Sequence, residues 1–363
     1  LLVVTRCGGR RGRVPGLCSS YGLSRSPLSA ERFASVATAR HAPPASLRAA
    51  PQRSAPPPTR RRETPMDRYD VGTALGQGQW GVVRKATRRA DGVEVAIKKV
   101  RCAAGSAEGV NFQVLREIKM LRDARHPHVV RLFDVFRNPG GDATLSLVFE
   151  LLATDLEKVL YDGGGALVND GVAKGYGFML LDALAFLHAH HVLHRDVKPA
   201  NLLISAAGVL KLADFGYARY VADPGGRMSY ECCTLWYRPP ELLLGAADYG
   251  PGVDAWGAGC ILAELALRRP VFRGDSETDQ LARIFAVLGS PDDASWPGVE
   301  GLRKYVKFTD ARSEDLGALL NATPATPLVA RLLALDPNAR ASCADALKDA
   351  YFAADPPPEL APH

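Results

Sequence analysis

From residue 69 the chain reads as strands. In YDVGTALGQGQWGVVRKAT, 69–87, two half-apolar runs flank a glycine-rich turn, and Asp91 with Gly92 then turns the chain into VEVAIKKV, 93–100. Such runs predict a small antiparallel sheet. In the last run a period of two puts Val93, Val95 and Ile97 on one face and Ala96 with Lys98 on the other. A lysine on an otherwise apolar strand needs a counter-charge, and sharing its face with a small residue suits a ligand surface. The period then changes. VNFQVLREIKML, 110–121, carries Val114, Ile118 and Leu121 at helical spacing with Leu115 widening the stripe, which predicts a helix inserted among the strands. Val114, Leu115 and Ile118 cannot all face the chain's own core from such a helix, so a partner is expected to cover part of this surface. LSLVFELL, 145–152, reads as a buried strand, and 171–190, 253–268, 275–288 and 325–335 read as helices. The expectation is α+β, a strand-rich lobe over 66–152 followed by a helix-rich lobe over 153–352.

The ends differ from this body. Residues 1–65 hold 12 arginines and no lysine against Glu31 and Glu63, a charge of +10 that leaves −4 for 66–363 out of the total of +6. The basicity therefore belongs to the N-terminal segment and predicts no nucleic-acid surface on the body. This segment is rich in Arg, Ala, Ser and Pro and is expected to be disordered. Two readings compete for it: sequence lying upstream of a start at Met66, or an organelle transit peptide, whose composition it shares. The proline-rich 353–363 is expected to be a loose tail. Seven cysteines, odd in number and without a CxxC pair, read as reduced thiols. No apolar run approaches the ~18 residues of a membrane helix, so no membrane contact is expected.

The densest candidate chemistry is HAHHVLHRDVKPANLLI, 188–204. His188 and His191 stand three apart, which on a helix would turn both rings toward one metal ion. A second reading comes from order along the chain. Gly76, Gly78 and Gly81 form G-x-G-x-x-G between two predicted strands, whereas a dinucleotide fingerprint leads from strand to helix. VAIK ending at Lys98 follows, with Glu117 available as its partner, then HRDVKPAN and LADFG, Asp196 and Asp214 lying 18 residues apart.

Five motifs in this order resemble the eukaryotic protein kinases over about Tyr69 to Phe352. The resemblance implies a bilobal kinase fold, ATP and Mg2+ as cofactors, and protein serine or threonine as substrate. It makes Asp196 the group that accepts or orients the substrate hydroxyl proton and Lys198 an electrostatic partner of the transferred phosphoryl, with Thr234 beside them. Asn201 and Asp214 become magnesium ligands. Lys98, held by Glu117, grips the α and β phosphates under the Gly76, Gly78 and Gly81 flap. Val83, Ala96 and Leu203 sandwich adenine, with Phe149 behind and Glu150 and Leu152 offering backbone hydrogen bonds. Glu241 and Arg340 match a buried ion pair, and His194 becomes a structural histidine.

TLWYRPPELLLGAADYGPGVDAWGAGCILAEL and PVFRGDSETDQLARIFAVLGSP are similar to the cyclin-dependent kinases, which implies a cyclin or cyclin-like activator. MDRYDVG and HRDVKPANLLIS lean to the cell-cycle-related kinase linked to cilia. LSLVFE, TDLE and GDSETDQLARIF lean to the cyclin-dependent-kinase-activating kinase. Either implies work in cell-cycle, transcription or cilium control, in nucleus or cytoplasm. A catalytically silent scaffold and an organelle-imported kinase are the alternatives. Ser229, with Tyr230 as the other candidate, falls where the family is activated by phosphorylation, and Arg116, Arg195 and Arg219 are expected to converge on it. Two departures stand out. Gln79 and Trp80 replace the Thr-Tyr pair whose phosphorylation inhibits many relatives, and Cys232-Cys233 replaces paired valines where the residue after the phospho-acceptor docks. The second departure counts against strict proline direction and leaves the pair readable as small apolar fillers or as redox-sensitive thiols.

Overall fold

The computed structural model describes residues 63–78, 81–101, 112–138, 144–162, 168–221, 232–308 and 315–363. The expectations for 1–62, Gln79, Trp80, Ser229 and Tyr230 lie outside them. Strands β1 (Tyr69–Gly78), β2 (Gly81–Arg88), β3 (Glu94–Arg101), β4 (Leu132–Arg137) and β5 (Thr144–Glu150) form one antiparallel sheet in the order β1-β2-β3-β5-β4, and α1 (Phe112–Asp123) is inserted between β3 and β4.

Period-two alternation decides what each face of this sheet does. Val95 and Ile97 of β3 pack with Tyr69, Ala86, Phe136 and Val148 in one cluster, while Ala96 and Val100 join Val83, Leu147 and Phe149 in the main core. Lys98 lies on that second side and is buried. Gly81 has a φ of 142°, and a Cβ there would stand 1.8 Å from the Lys99 carbonyl oxygen. Only glycine lets the turn into β2 close this tightly over β3.

On α1 the structure bears out that Val114, Leu115 and Ile118 do not all face the core, and shows which one is left outside. Val114 and Ile118 are only 3% and 8% exposed and belong to the main core, whereas Leu115 is 45% exposed. A helix offers one inward stripe, and Val114 and Ile118, four apart, share it; Leu115 lies one position, about 100°, off that stripe. Among the described residues of α1 the exposed apolar side chain is thus Leu115, and Val114 is buried.

After the short strand β6 (Thr154–Asp155) the chain turns mainly helical. Helix α2 (Leu156–Tyr161) is capped by the Asp155 carboxylate accepting from the Lys158 N–H, and α3 (Asp170–Ala189) by Asn169 Oδ1 accepting from the Val172 N–H. Each cap satisfies a backbone donor that has no partner in the first helical turn. Small strands β7 (Val192–Leu193), β8 (Leu202–Ile204), β9 (Leu210–Leu212) and β10 (Arg219–Tyr220) follow, β10 pairing with β7, and β6 and β9 flanking β8. Beyond them lie α4 (Pro240–Leu243), α5 (Gly252–Leu267), α6 (Glu277–Leu288), α7 (Leu316–Leu319), α8 (Thr326–Leu332) and α9 (Cys343–Ala346). Helix α5 is apolar nearly all round and packs between α3 and α8, its Trp256 fully buried. Arg340 clamps Glu241 with two hydrogen bonds of 2.7 and 2.9 Å, both residues buried. The architecture is the bilobal α+β one.

His188 closes α3 and binds Asp254 Oδ2 at 2.9 Å, while His191 lies past the helix end with a φ of 58°. A histidine outside the helix does not share a face with one inside it, which removes the geometry the metal reading needed.

The C-terminal segment is not a loose tail. Lys174 Nζ, on the buried face of α3, donates to the carbonyls of Ala354 and Pro356, both at 2.6 Å, and the Glu359 N–H donates to Gly171 O at 2.9 Å. Tyr176 bonds His363 at 2.9 Å. A Cβ on Gly175 would stand 2.2 Å from Glu359 O, so glycines of α3 open the groove the tail occupies. Proline-rich composition forecloses a core of its own, but carbonyls without regular structure remain free to solvate a buried lysine.

Candidate active site

Lys98 from β3, Glu117 from α1 and Asp214 from the loop after β9 meet in one cavity. Lys98 Nζ is 3.4 Å from Glu117 Oε1 and 3.3 Å from Asp214 Oδ1. Burial disfavours the Lys98 ammonium, but the two carboxylates outweigh it and hold the lysine above its ordinary range. Burial acts first on Glu117 as well, and raises it despite Lys98. The lysine therefore stays charged with two acceptors, a cation positioned to receive further anionic oxygen.

The cavity is lined by Lys98, Glu117, Leu121, Val130, Phe149, Ala200, Asn201, Leu203, Ala213 and Asp214. Val83 and Ala96 sit buried in the adjoining core, Val83 paired with Lys98 in register and Gly76 paired with Val83. Gly78 pairs with Gly81 across the turn. Glu150 ends β5, its N–H donating to Arg131 O at 3.1 Å and its carboxylate accepting from Arg131 N and Lys211 Nζ; Leu152 is half-buried beyond it. The Glu150 N–H is thus already committed. Leu121, Val130, Ala200 and Ala213 were not legible as lining residues. Leu121 lies four after Glu117 and Ala213 directly precedes Asp214, which are usable signals, but nothing local marks Val130.

A second cluster adjoins the first. Asp196 is 4% exposed. Its Oδ1 accepts from the Thr234 hydroxyl at 3.0 Å and the Thr234 N–H at 3.2 Å; its Oδ2 accepts from Asn201 Nδ2 at 2.9 Å and faces Lys198 Nζ at 2.7 Å. Lys198 Nζ also donates to Thr234 Oγ1 at 2.9 Å. Asn201 Nδ2 donates again to Asp196 O at 2.8 Å, which fixes the amide, and Asn201 Oδ1 is left buried with no hydrogen-bond partner among the described residues. An unsatisfied buried amide oxygen calls for a partner. Asn201 and Asp214 line the same cavity, and an amide oxygen beside a carboxylate is the hard donor set that suits a small divalent cation.

The backbone carrying these groups is held from below. Asp254 accepts from the N–H groups of His194 at 2.8 Å and Arg195 at 2.7 Å, and His194 Nε2 bonds Ala213 O at 3.0 Å, which ties the Asp196 loop to the Asp214 loop. Arg195 and Asp214 take φ values of 65° and 62°, left-handed conformations that non-glycine residues hold only when surroundings impose them. The Arg195 guanidinium donates to Tyr217 O and the Tyr249 hydroxyl, both at 2.8 Å. Arg219 lies on β10, paired with Leu193 next to this loop, and α1, which carries Arg116, packs on the turn Phe215–Tyr217.

Cys232, Cys233 and Thr234 lead into this cluster. Cys233 has a φ of 65°, and its carbonyl accepts from Arg238 Nη2 at 3.0 Å. That carbonyl is consequently occupied by the chain itself.

Residues 69–352 match the protein kinase domain model. The chain is 45% identical over 294 residues to cyclin-dependent kinase D-1 of Arabidopsis thaliana, covering 80% of this chain and 73% of that one. It is 44% identical over 292 residues to cyclin-dependent kinase 7 of Dictyostelium discoideum, covering 79% and 80%. Cyclin-dependent kinase D-1 of Oryza sativa subsp. japonica is 44% identical over 294 residues, covering 80% and 68%.

Proposed function

The chain belongs to the protein kinase family as a serine/threonine kinase of the cyclin-dependent type, and on that premise we propose how its residues divide the work. Asp196 accepts the proton of the substrate hydroxyl as oxygen attacks phosphorus. Thr234 and Asn201 aim its two oxygens, so the carboxylate is oriented before substrate arrives. Lys198, 2.7 Å from Asp196, offsets negative charge that gathers on the transferred group. Lys98 receives phosphate oxygens while Glu117 holds it in place. Asn201 Oδ1 and Asp214 would hold magnesium, which would supply positive charge to neutralise that of the phosphates. Val83, Ala96, Leu203 and Phe149 supply the apolar walls for adenine.

The single observation that carries this reading is the orientation of Asp196 by four side-chain and backbone groups within 3.2 Å. The protein acceptor is a serine or threonine followed by proline. A residue other than proline brings an N–H that loses its water on docking, and the Cys233 carbonyl that would receive it is taken by Arg238. Proline brings no donor. The names of the relatives support a cyclin or cyclin-like activator, and exposed Leu115 on α1 supports a contact there. Activation by phosphorylation at Ser229 or Tyr230, read by Arg116, Arg195 and Arg219, completes the proposal, with cell-cycle, transcription or cilium control as the setting.

The test is transfer of labelled phosphate from MgATP to Ser-Pro and Thr-Pro peptides by the protein with a cyclin-type partner, alongside nucleotide binding. Binding without transfer to any peptide overturns the enzymatic assignment in favour of a scaffold.

A further inference from the structure

Cys232 and Cys233 directly precede Thr234, and their side chains touch. The Cys233 thiol donates to Cys232 Sγ across 3.9 Å. Cys232 is 3% exposed and packs with Leu242 and Val253, while Cys233 is half-buried at the edge of the same cluster. A pair kept only to fill space would bury both sulfurs among apolar groups. Here Cys232 Sγ also meets the Tyr249 hydroxyl at 3.6 Å, and that hydroxyl accepts from Arg195.

This surrounding acts on reactivity. The hydrogen bond from Cys233 draws the Cys232 thiol down to about 7 against the effect of burial, with Tyr249, Arg195 and Arg238 adding to it. Burial instead pushes the Cys260 and Cys343 thiols up. Thiolate character is what makes a cysteine attack a peroxide, so Cys232 is the attacking sulfur of the pair. Cys233, pushed well up by its hydrogen bond to Cys232 and by burial, is the protonated partner that stands 3.9 Å away to resolve it.

We propose that Cys232 and Cys233 form a peroxide-sensitive dithiol whose closure to a disulfide switches off phosphoryl transfer. In the first step the Cys232 thiolate sulfur attacks one oxygen of hydrogen peroxide and the O–O bond breaks. Cys232 becomes a sulfenic acid, and the departing hydroxide takes up a proton as water. Cys233 sulfur then attacks the sulfenic sulfur, the S–O bond breaks, and the hydroxide leaves as water with the Cys233 proton. Two thiols are oxidised, one peroxide is reduced, and two waters form.

The effect on activity comes from what the intervening backbone holds. Closing the bond draws the sulfurs from 3.9 Å to about 2.05 Å and locks the Cys232–Cys233 peptide into a small ring. Cys233 already sits at a φ of 65°, sustained by Arg238 on its carbonyl, and the Thr234 N–H on Asp196 is the next backbone donor along. Turning the torsions on either side of Cys233 pulls on both bonds. Asp196 loses the group that aims Oδ1, and the docking site for the residue after the phospho-acceptor changes shape.

The experiment treats the full chain with graded hydrogen peroxide, removes the excess with catalase, alkylates free thiols and maps the peptide containing Cys232 and Cys233 by mass spectrometry. The expected result is a peptide lighter by two hydrogens that resists alkylation until dithiothreitol is added, with kinase activity falling several-fold and returning in parallel. In Cys233→Ser the two-hydrogen loss should vanish and a dimedone adduct should appear on Cys232. The activity arm rests on the phosphotransfer reading above, whereas the mass map does not. Both thiols remaining alkylatable at doses that inhibit the enzyme would overturn the proposal. So would a disulfide joining either cysteine to a different one, or equal peroxide inhibition of the Cys232→Ala/Cys233→Ala double variant.

Discussion

Thr234 donates its hydroxyl to Asp196 Oδ1 at 3.0 Å while receiving a hydrogen bond from Lys198 at 2.9 Å. The threonine is thus a relay between the two charged groups of this cluster, and it couples the segment that carries it to the geometry of the carboxylate.

Substitutions at Asp196 and Thr234 should separate the carboxylate from the relay. Asp196→Asn keeps shape and removes the proton acceptor, so kcat should fall on the order of 10² or more with nucleotide affinity nearly unchanged. Thr234→Ala leaves the acceptor in place and should cost roughly 10-fold, about the worth of one orienting hydrogen bond, with Thr234→Ser recovering most of it. Steady-state kinetics on a Ser-Pro peptide with parallel nucleotide titration decide this, and near-normal turnover of Asp196→Asn would remove its assigned role.

Arg238 should govern which residue is accepted directly after the phosphorylated serine or threonine. Arg238→Lys releases the Cys233 carbonyl to accept an N–H, so the preference in kcat/KM for proline over alanine at the next position should narrow by roughly 10-fold, the value of one hydrogen bond. The quantity is a ratio between two peptides, so a general loss of activity does not disturb it. An unchanged ratio would sink the argument.

Two neighbouring substitutions on α1 should behave oppositely. Val114→Asp buries a carboxylate in the main core and should destabilise the protein by about 3 kcal/mol or more, seen as a large drop in Tm. Leu115→Asp changes an exposed side chain and should leave Tm nearly unchanged while weakening a cyclin-type activator in a pull-down. Equal activator affinity in Leu115→Asp would take this face of α1 out of the contact.

Glu264 predicts a pH dependence of stability. Fully buried and bonded to the Tyr161 and Tyr237 hydroxyls, it is raised to about 7, burial being the main cause. Between its unfolded value of about 4.3 and its folded value, the folded chain holds a proton that the unfolded chain has released, so its stabilising share is full at lower pH and disappears as pH rises through about 7. Glu264→Gln mimics the protonated form at every pH. Its Tm relative to the parent protein should therefore rise on going from about pH 5 to about pH 8, and a flat difference would contradict the assignment.

Periodicity and motif order made much of this protein readable. The alternation in VEVAIKKV placed Lys98 and Ala96 on the cavity side and Val95 and Ile97 on the other, because a strand's geometry fixes its faces without reference to any neighbour. The apolar stretches of α3, α5 and α6 announced their helices for the same reason. Glu117 was legible as a counter-charge for Lys98, and Asp214 through the resemblance to the protein kinases that LADFG carries.

What sequence could not decide was set by contacts between distant segments. Whether Val114 or Leu115 faces outward depends on where α1 docks, since a widened apolar stripe allows either rotation until the sheet fixes one. The tail at 354–363 looked unable to fold because its composition cannot make a core, yet Lys174 and the glycines of α3 provide the surface it lies on. Arg238 and the Cys233 carbonyl are five residues apart, and only the left-handed turn at Cys233 brings them to 3.0 Å. Local pattern therefore determined the elements and the cast of reactive residues. The tertiary structure decided which of their polar groups are already satisfied and which, like Asn201 Oδ1, are held open, because hydrogen-bond partners are distributed by the packing of segments that no local pattern relates.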